Sequence, residues 1–88
     1  MATDGRVKLE QDIERWFAEE MVKIEQEMKK AWGKYQLCLR NIIVLDEDVE
    51  YGYKKVHALL LKAMQPMIED VGWQWDPKFG RITLVWCC

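Results

Sequence analysis

The spacing of apolar residues changes once along this chain, and that change limits the folds open to it. From about residue 6 to residue 71, apolar side chains recur every three or four positions, which is typical of helices that bury one face. After Gly72 the spacing becomes two, first over 73–75 and again over 82–86, as in strands covered on one side. The sequence therefore predicts an α-rich α+β fold, with helices first and a β-hairpin last.

The first helix is predicted over about residues 6–40. The segment contains no proline and is dominated by strong helix formers. Its apolar residues repeat at alternating steps of four and three, which indicates a heptad seam. The seam consists of Phe17, Met21, Ile24, Met28, Ala31, Tyr35, Cys38, Ile42 and Leu45. We expect the helix to continue through Gly33, followed by a buried connector or a short strand over 42–45.

Gly33 leaves a second interpretation open. A glycine in the left-handed conformation often ends a helix, and the residues after it, from Tyr35 to Leu45, end in a β-branched run that suits a strand. Short apolar runs fit both the helical and the strand period. The sequence alone does not decide whether 35–45 is helix or strand.

A second helix is predicted over about residues 47–71, packed antiparallel against the first. Acidic residues at 46–48 suit its first turn. Pro66 lies inside it and removes one backbone hydrogen bond, so we expect a kink near Lys62 or a break into two helices. Gly72 is expected just beyond its end.

The hairpin is predicted over about residues 73–87, with the turn segment DPKFG between its strands. A two-stranded hairpin is marginal in water unless one face is covered. We therefore expect three tryptophans to pack against the helices or against a partner: Trp73, Trp75 and Trp86.

Composition excludes some classes of function. The 88 residues allow one domain with a modest core. Thirteen basic and fifteen acidic side chains give a net charge of −2 and no basic stripe, so no nucleic-acid partner is expected. The longest apolar run is far too short to cross a bilayer, so no membrane association is expected. Three cysteines, without a secretory signal, indicate a cytoplasmic protein.

No catalytic motif is present. The chain contains no serine, no phosphate-binding glycine loop and no dinucleotide-binding turn. The acidic run at 46–48 is typical of a helix start with a solvated face. We predict a protein that is not an enzyme, with no cofactor and no metal site.

The function that the pattern favours is protein–protein interaction, of the adaptor or inhibitor type. The heptad seam, a second stripe that includes Trp16, and the hairpin together present more apolar surface than one small layer can bury. We expect a homo-oligomer, with a dimer favoured, that also binds another protein. The residues expected to carry self-association are Trp16, Phe17, Met21, Ile24 and Met28.

Two alternatives stay open. One is a nucleotide or small-ligand site at a subunit interface, in which tyrosines stack on a base and lysines neutralise a phosphate. Its residues would be Tyr51, Tyr53, Lys54 and Lys55. The other is a redox- or metal-responsive protein that uses Cys38, Cys87 and Cys88.

Overall fold

The computed structural model describes residues 2–87, with side chains described for 7–66 and 70–86. Helix α1 (Ala2–Glu27) is followed by strand β1 (Trp32–Cys38), helix α2 (Asp46–Met64), and strands β2 (Val71–Asp76) and β3 (Arg81–Cys87). Short 3-10 helices follow β1 and α2, at Leu39–Asn41 and Gln65–Asp70. The predicted α+β class, with two packed helices and a carboxy-terminal sheet, is confirmed.

The sheet has three antiparallel strands in the order β1-β3-β2. The hairpin is present, with its turn at residues 77–80. Gly80 lies in this turn at φ 59°, and it is the only described glycine with a positive φ. The favoured prediction lacked β1, whereas the alternative of a strand after Gly33 is correct for residues 35–38. Pairing with β1 makes β3 the central strand.

The predicted first helix is wrong beyond Glu27. Residues 32–38 form β1 rather than the last turns of a helix, and the connector at 42–45 belongs to no strand. Gly33 lies inside β1, with a negative φ, so it does not end a helix. The spacing of the heptad seam continues past the helix only by coincidence, because Leu37, which lies off the seam, is the fully buried residue of this segment.

The second helix is also shorter than predicted. It ends at Met64, and the residues that follow, including Pro66, continue as a 3-10 helix, which is the predicted break. Gly72 does not follow the helix directly, because it is the second residue of β2. The predicted acidic first turn is present at residues 46–48. The positive end of the helix dipole stabilises the carboxylates there.

The two helices run in the same direction at their contact, not antiparallel as predicted. Tyr51 donates to the Glu10 carboxylate, and the Lys55 ammonium lies 2.9 Å from Glu14, so residue numbers rise together along both helices. The prediction assumed that α1 led directly into α2. Because β1 lies between them, the chain returns toward the start of α1 before α2 begins.

Both helices pack on one face of the sheet. The core between these layers consists of Ile13, Phe17, Ile24, Leu37, Leu39, Ile43, Val49, Val56, Leu60, Met64, Ile82, Leu84 and Trp86. The three core residues of β3 alternate with Thr83 and Val85, which point away from the helices. The opposite face of the sheet carries no helix or strand among the described residues.

Candidate functional site

The open face of the sheet is the first part of the candidate site. It carries the side chains that alternate with the core positions of each strand. In the described part these are Trp32, Lys34, Gln36, Cys38, Gln74, Asp76, Arg81, Thr83 and Val85. Antiparallel sheets commonly leave one face to water, and this face is mostly polar in the usual way. Trp32 departs from that pattern, since it is 73% exposed.

The outer edge of β1 is the second part. The Leu39 N–H donates to the Gly80 carbonyl at 2.8 Å, which continues the β1–β3 ladder by one pair. Hydrogen-bonded pairs alternate in an antiparallel ladder, so residues 33, 35 and 37 bond to β3. The backbone groups of Trp32, Lys34, Gln36 and Cys38 therefore point away from the sheet, and we call these groups the β1 edge.

The β1 edge is accessible. The Cys38 carbonyl is at the N-cap of the 3-10 helix that follows, where it accepts the first hydrogen bond of that helix. No side chain, turn or loop of the described residues bonds to the other groups of the edge. The side chains of Trp32, Lys34 and Gln36 are all exposed. Such a row of free N–H and C=O groups is a template for adding another strand. The edge and Trp32 are the features that the sequence prediction missed, although the alternation of Lys34, Tyr35, Gln36 and Leu37 was a usable strand signal.

The other edge strand, β2, is tied to α2 by stacked rings. Tyr53 stacks on Trp75 with centroids 4.3 Å apart, and His57 stacks on Trp73 at 4.5 Å. Tyr53 and His57 also stack on each other at 5.7 Å. Trp86 is 6% exposed and lies in the core. The three tryptophans predicted to fix the hairpin therefore all face the helices of their own chain.

The residues predicted for self-association divide into two groups. Phe17 and Ile24 belong to the core of this chain, so they cannot form a surface seam. Trp16, Met21 and Met28 are half-buried and pack against the core from its margin. The heptad pattern found the buried side of α1, and most of that side is covered by α2 and the sheet.

The residues predicted for a ligand do not converge. Tyr51 and Lys55 are directed toward α1 through their contacts with Glu10 and Glu14. The remaining two residues line a surface cleft of about 620 Å³ between the start of α2 and the end of β2. The cleft is lined by Arg40, Asp46, Val49, Glu50, Tyr53, Lys54, Trp75 and Pro77.

The charges in this cleft are mixed. Arg40 is paired with the Asp46 carboxylate at 2.5 Å, and its guanidinium also donates to the Lys78 carbonyl at 3.5 Å. Glu50 lies beside Lys54 in the lining. Two of the four predicted residues are elsewhere, and the two cations of the cleft, Arg40 and Lys54, share it with the carboxylates of Asp46 and Glu50, which disfavour a phosphate. Ligand binding by the four predicted residues therefore stays a prediction.

The cysteines are separated. Cys38 and Cys87 lie at opposite ends of the β1–β3 ladder, since Cys38 pairs with Arg81 and Trp32 pairs with Cys87. Six residues of extended strand lie between these two ends, a distance of about 20 Å. Within the described side chains, no three potential metal ligands cluster. The Cys87 side chain and Cys88 lie outside the described residues.

Tyr35 joins β1 to α1. Its hydroxyl donates to the Glu20 carboxylate. Burial, this hydrogen bond, and the negative charges of Glu20 and Glu27 all raise the pKa of Tyr35 above its ordinary value of 10.0. The contact places α1 over β1, on the covered face.

The Tyr35 contact predicts how stability depends on alkaline pH. Because the folded state disfavours the phenolate, its contribution is fully present below pH 10.0 and is lost as the pH rises above it. We expect the free energy of unfolding to fall less steeply above pH 10 in Tyr35→Phe than in the native protein, measured by urea unfolding at stepped pH. Glu20→Gln, which removes the charge but keeps an acceptor, should give an intermediate slope. Equal slopes in all three proteins would contradict the assignment.

Comparison with protein-family models, with curated proteins and with solved structures finds no significant match to this chain. No helix in the described part of the chain combines the length and the hydrophobicity needed to cross a membrane.

Proposed function

We propose that this protein is a non-catalytic protein–protein interaction module, and that its contact surface is the β1 edge with the adjoining open face. The observation that carries the proposal is the β1 edge itself, a strand of seven residues with one unpaired side and no proline. Native sheets usually protect such edges unless a partner covers them. An adaptor or inhibitor that adds a strand of its target would use this surface.

The chemistry of strand addition suits the residues present. Backbone hydrogen bonds would supply most of the affinity, and the side chains beside them would select the partner. Trp32 offers a large exposed ring of the type that dominates binding energy at interfaces. Lys34 adds one positive charge beside it, and the glutamine at 36 adds both a donor and an acceptor.

The rest of the surface supports a non-catalytic role. Four carboxylates on α1 contact lysines or tyrosines, as Glu14 contacts Lys55 and Glu20 contacts Lys23. These contacts lie along helix surfaces rather than in a pocket, where acid–base catalysis needs its groups to converge. A cytoplasmic adaptor or inhibitor remains the class of function that we favour.

Selection of short peptides from a random displayed library tests the proposal. We expect the peptides that bind the native protein to be rich in strand-forming residues, and to lose about tenfold in affinity, about 1.4 kcal/mol, on Gln36→Pro. Proline at position 36 removes an outward N–H that the sheet does not use, so the fold should persist, as thermal unfolding would verify.

Gln36→Ala is the matched control, because it removes the same side chain but keeps the N–H. It should bind the selected peptides as tightly as the native protein does. Peptides that bind Gln36→Pro and the native protein equally would show that the β1 edge is not the binding surface.

A further inference from the structure

We infer that the β1 edge pairs with the β1 edge of a second copy of this chain, forming one six-stranded antiparallel sheet across a two-fold axis. The inference rests on the proposed function, since it names the occupant of the same surface. A strand paired with its own copy around a two-fold axis must be antiparallel, and each residue i that contacts j is matched by j contacting i.

The hydrogen-bond pattern restricts the register. Only outward-pointing residues can form hydrogen-bonded pairs, so positions 32, 34, 36 and 38 must pair among themselves. A two-fold axis beside Tyr35 achieves this for the whole strand: Trp32 faces the partner's Cys38, and Lys34 faces the partner's Gln36. With the two symmetric counterparts this makes four pairs. The two pairs of Lys34 with Gln36 form two bonds each, and the two pairs of Trp32 with Cys38 form one each, because the Cys38 carbonyl is used by the 3-10 helix that follows.

The two neighbouring registers are less favourable than the one with its axis beside Tyr35. An axis beside Lys34 places that lysine directly opposite the partner's Lys34, and like charges in direct opposition destabilise a sheet. An axis beside Gln36 leaves Trp32 beyond the end of the partner strand. The Tyr35 register places no like charges opposite each other, and it sets Tyr35 against the partner's Tyr35, an aromatic pair of the stabilising kind.

The surroundings of the edge favour a second copy. Glu20 of α1 contacts β1, whereas Glu10 and Glu14 contact α2. Trp16 lies one turn before Glu20, so it is on the flank of α1 turned away from α2. Pairing at β1 brings the two α1 helices side by side on the same face, where each half-buried Trp16 can be covered.

The β2 edge is less suited to the same role. Its outward residues are 71, 73 and 75, one fewer than on β1, because 72, 74 and 76 bond to β3 in the alternating pattern. Pro77 follows directly and cannot extend the pairing.

A disulfide crosslink tests both the dimer and its register. In a Cys87→Ser/Cys88→Ser background, which prevents a bond between position 32 and its own β3 neighbour, Trp32→Cys should crosslink to Cys38 of the partner subunit. A hydrogen-bonded pair has its Cα atoms about 5.5 Å apart, within the range that a disulfide spans. After mild oxidation we expect more than half of the chains as covalent dimer, with the 32–38 link identified by peptide mapping.

Three further variants in that background make the result specific. Adding Cys38→Ser to Trp32→Cys should abolish the covalent dimer, because it removes the thiol with which position 32 forms the disulfide. Lys34→Cys and Gln36→Cys would each link to the same position of the partner only in the two rejected registers, so we expect neither link. A 34–34 or 36–36 link in place of 32–38 would overturn the register, as would a Trp32→Cys protein that stays monomeric under oxidation.

Sedimentation velocity separates failure of the inference from failure of the proposed function. We expect the native protein and Gln36→Ala to sediment as dimers, and the dissociation constant of Gln36→Pro to rise at least tenfold. If the native protein stays monomeric while selected peptides bind at the β1 edge, self-pairing is wrong and the interaction module stands. If neither self-pairing nor peptide binding occurs at this edge, both are wrong.

Discussion

Replacing Leu84 with alanine is expected to lower the free energy of unfolding by about 2–5 kcal/mol. Leu84 lies in the middle of the central strand, between Tyr35 on β1 and Trp73 on β2, and it is 1% exposed. Truncation removes buried apolar contacts and leaves a cavity bounded by strands on both sides. Because small domains are stable by only about 5–15 kcal/mol, this single change removes a large share of the total.

Val85→Ala is the matched control. Val85 is the next residue of the same strand, but its side chain is on the open face and is 45% exposed. We expect it to cost less than about 1 kcal/mol, in line with exposed substitutions. Urea unfolding with constant m-values would measure both. If Leu84→Ala does not fold, Leu84→Val should still lower the free energy of unfolding by more than Val85→Ala does. Equal losses of stability would show that the helices do not cover the face of the sheet that carries Leu84.

The carboxy-terminal part of the fold could be predicted from sequence because its signals are local. Alternation of apolar residues, turn residues at 77–80 and the break at Pro66 each act over a few positions. Local signals of this kind do not depend on which other elements are nearby. They therefore correctly identified the hairpin and the break near Pro66, although α2 itself ends at Met64 and not at residue 71.

Strand β1 was left undecided, with a helix favoured, because two periods overlapped in one short segment. Ala31, Tyr35 and Cys38 continue the heptad spacing of α1, yet Tyr35 and Leu37 also alternate with polar neighbours. Pairing with β3 decides between the periods, and the residues of β3 are about fifty positions away in the sequence. Long-range strand pairing of this kind overrides local helix propensity.

The candidate site could not have been found without the strand order. The free side of β1 exists because β1 pairs with β3 alone and is therefore an outer strand of the sheet. The direction of each backbone N–H follows from the ladder, which the single bond from Leu39 to Gly80 establishes. Neither fact is contained in the local pattern, so Trp32 looked like one more helix residue.

Two glycines that pair with the central strand are expected to respond in opposite ways to alanine. Gly33 is opposite Trp86, and a Cβ there would lie 2.5 Å from Cζ2 of the indole. Gly72 is opposite Val85, where a Cβ would meet only the Val85 carbonyl oxygen at 3.7 Å. We expect Gly33→Ala to lose about 1–3 kcal/mol of stability, as overpacked sites do. Gly72→Ala should be neutral or gain up to about 1 kcal/mol, because alanine has less conformational freedom when unfolded.

The loss at Gly33 should depend on the ring and not on the strand. Neither glycine needs a positive φ, so backbone strain is equal at the two positions. The Trp86 indole is held by packing, since its Nε1 makes no hydrogen bond with the described residues. In a Trp86→Leu background the ring is gone, and Gly33→Ala should then cost less than it does in the native protein, by at least about 1 kcal/mol of coupling in a double-mutant cycle. Guanidinium unfolding of the four proteins gives that coupling energy, and a value near zero would mean that Gly33 is required for some reason other than the space taken by Trp86.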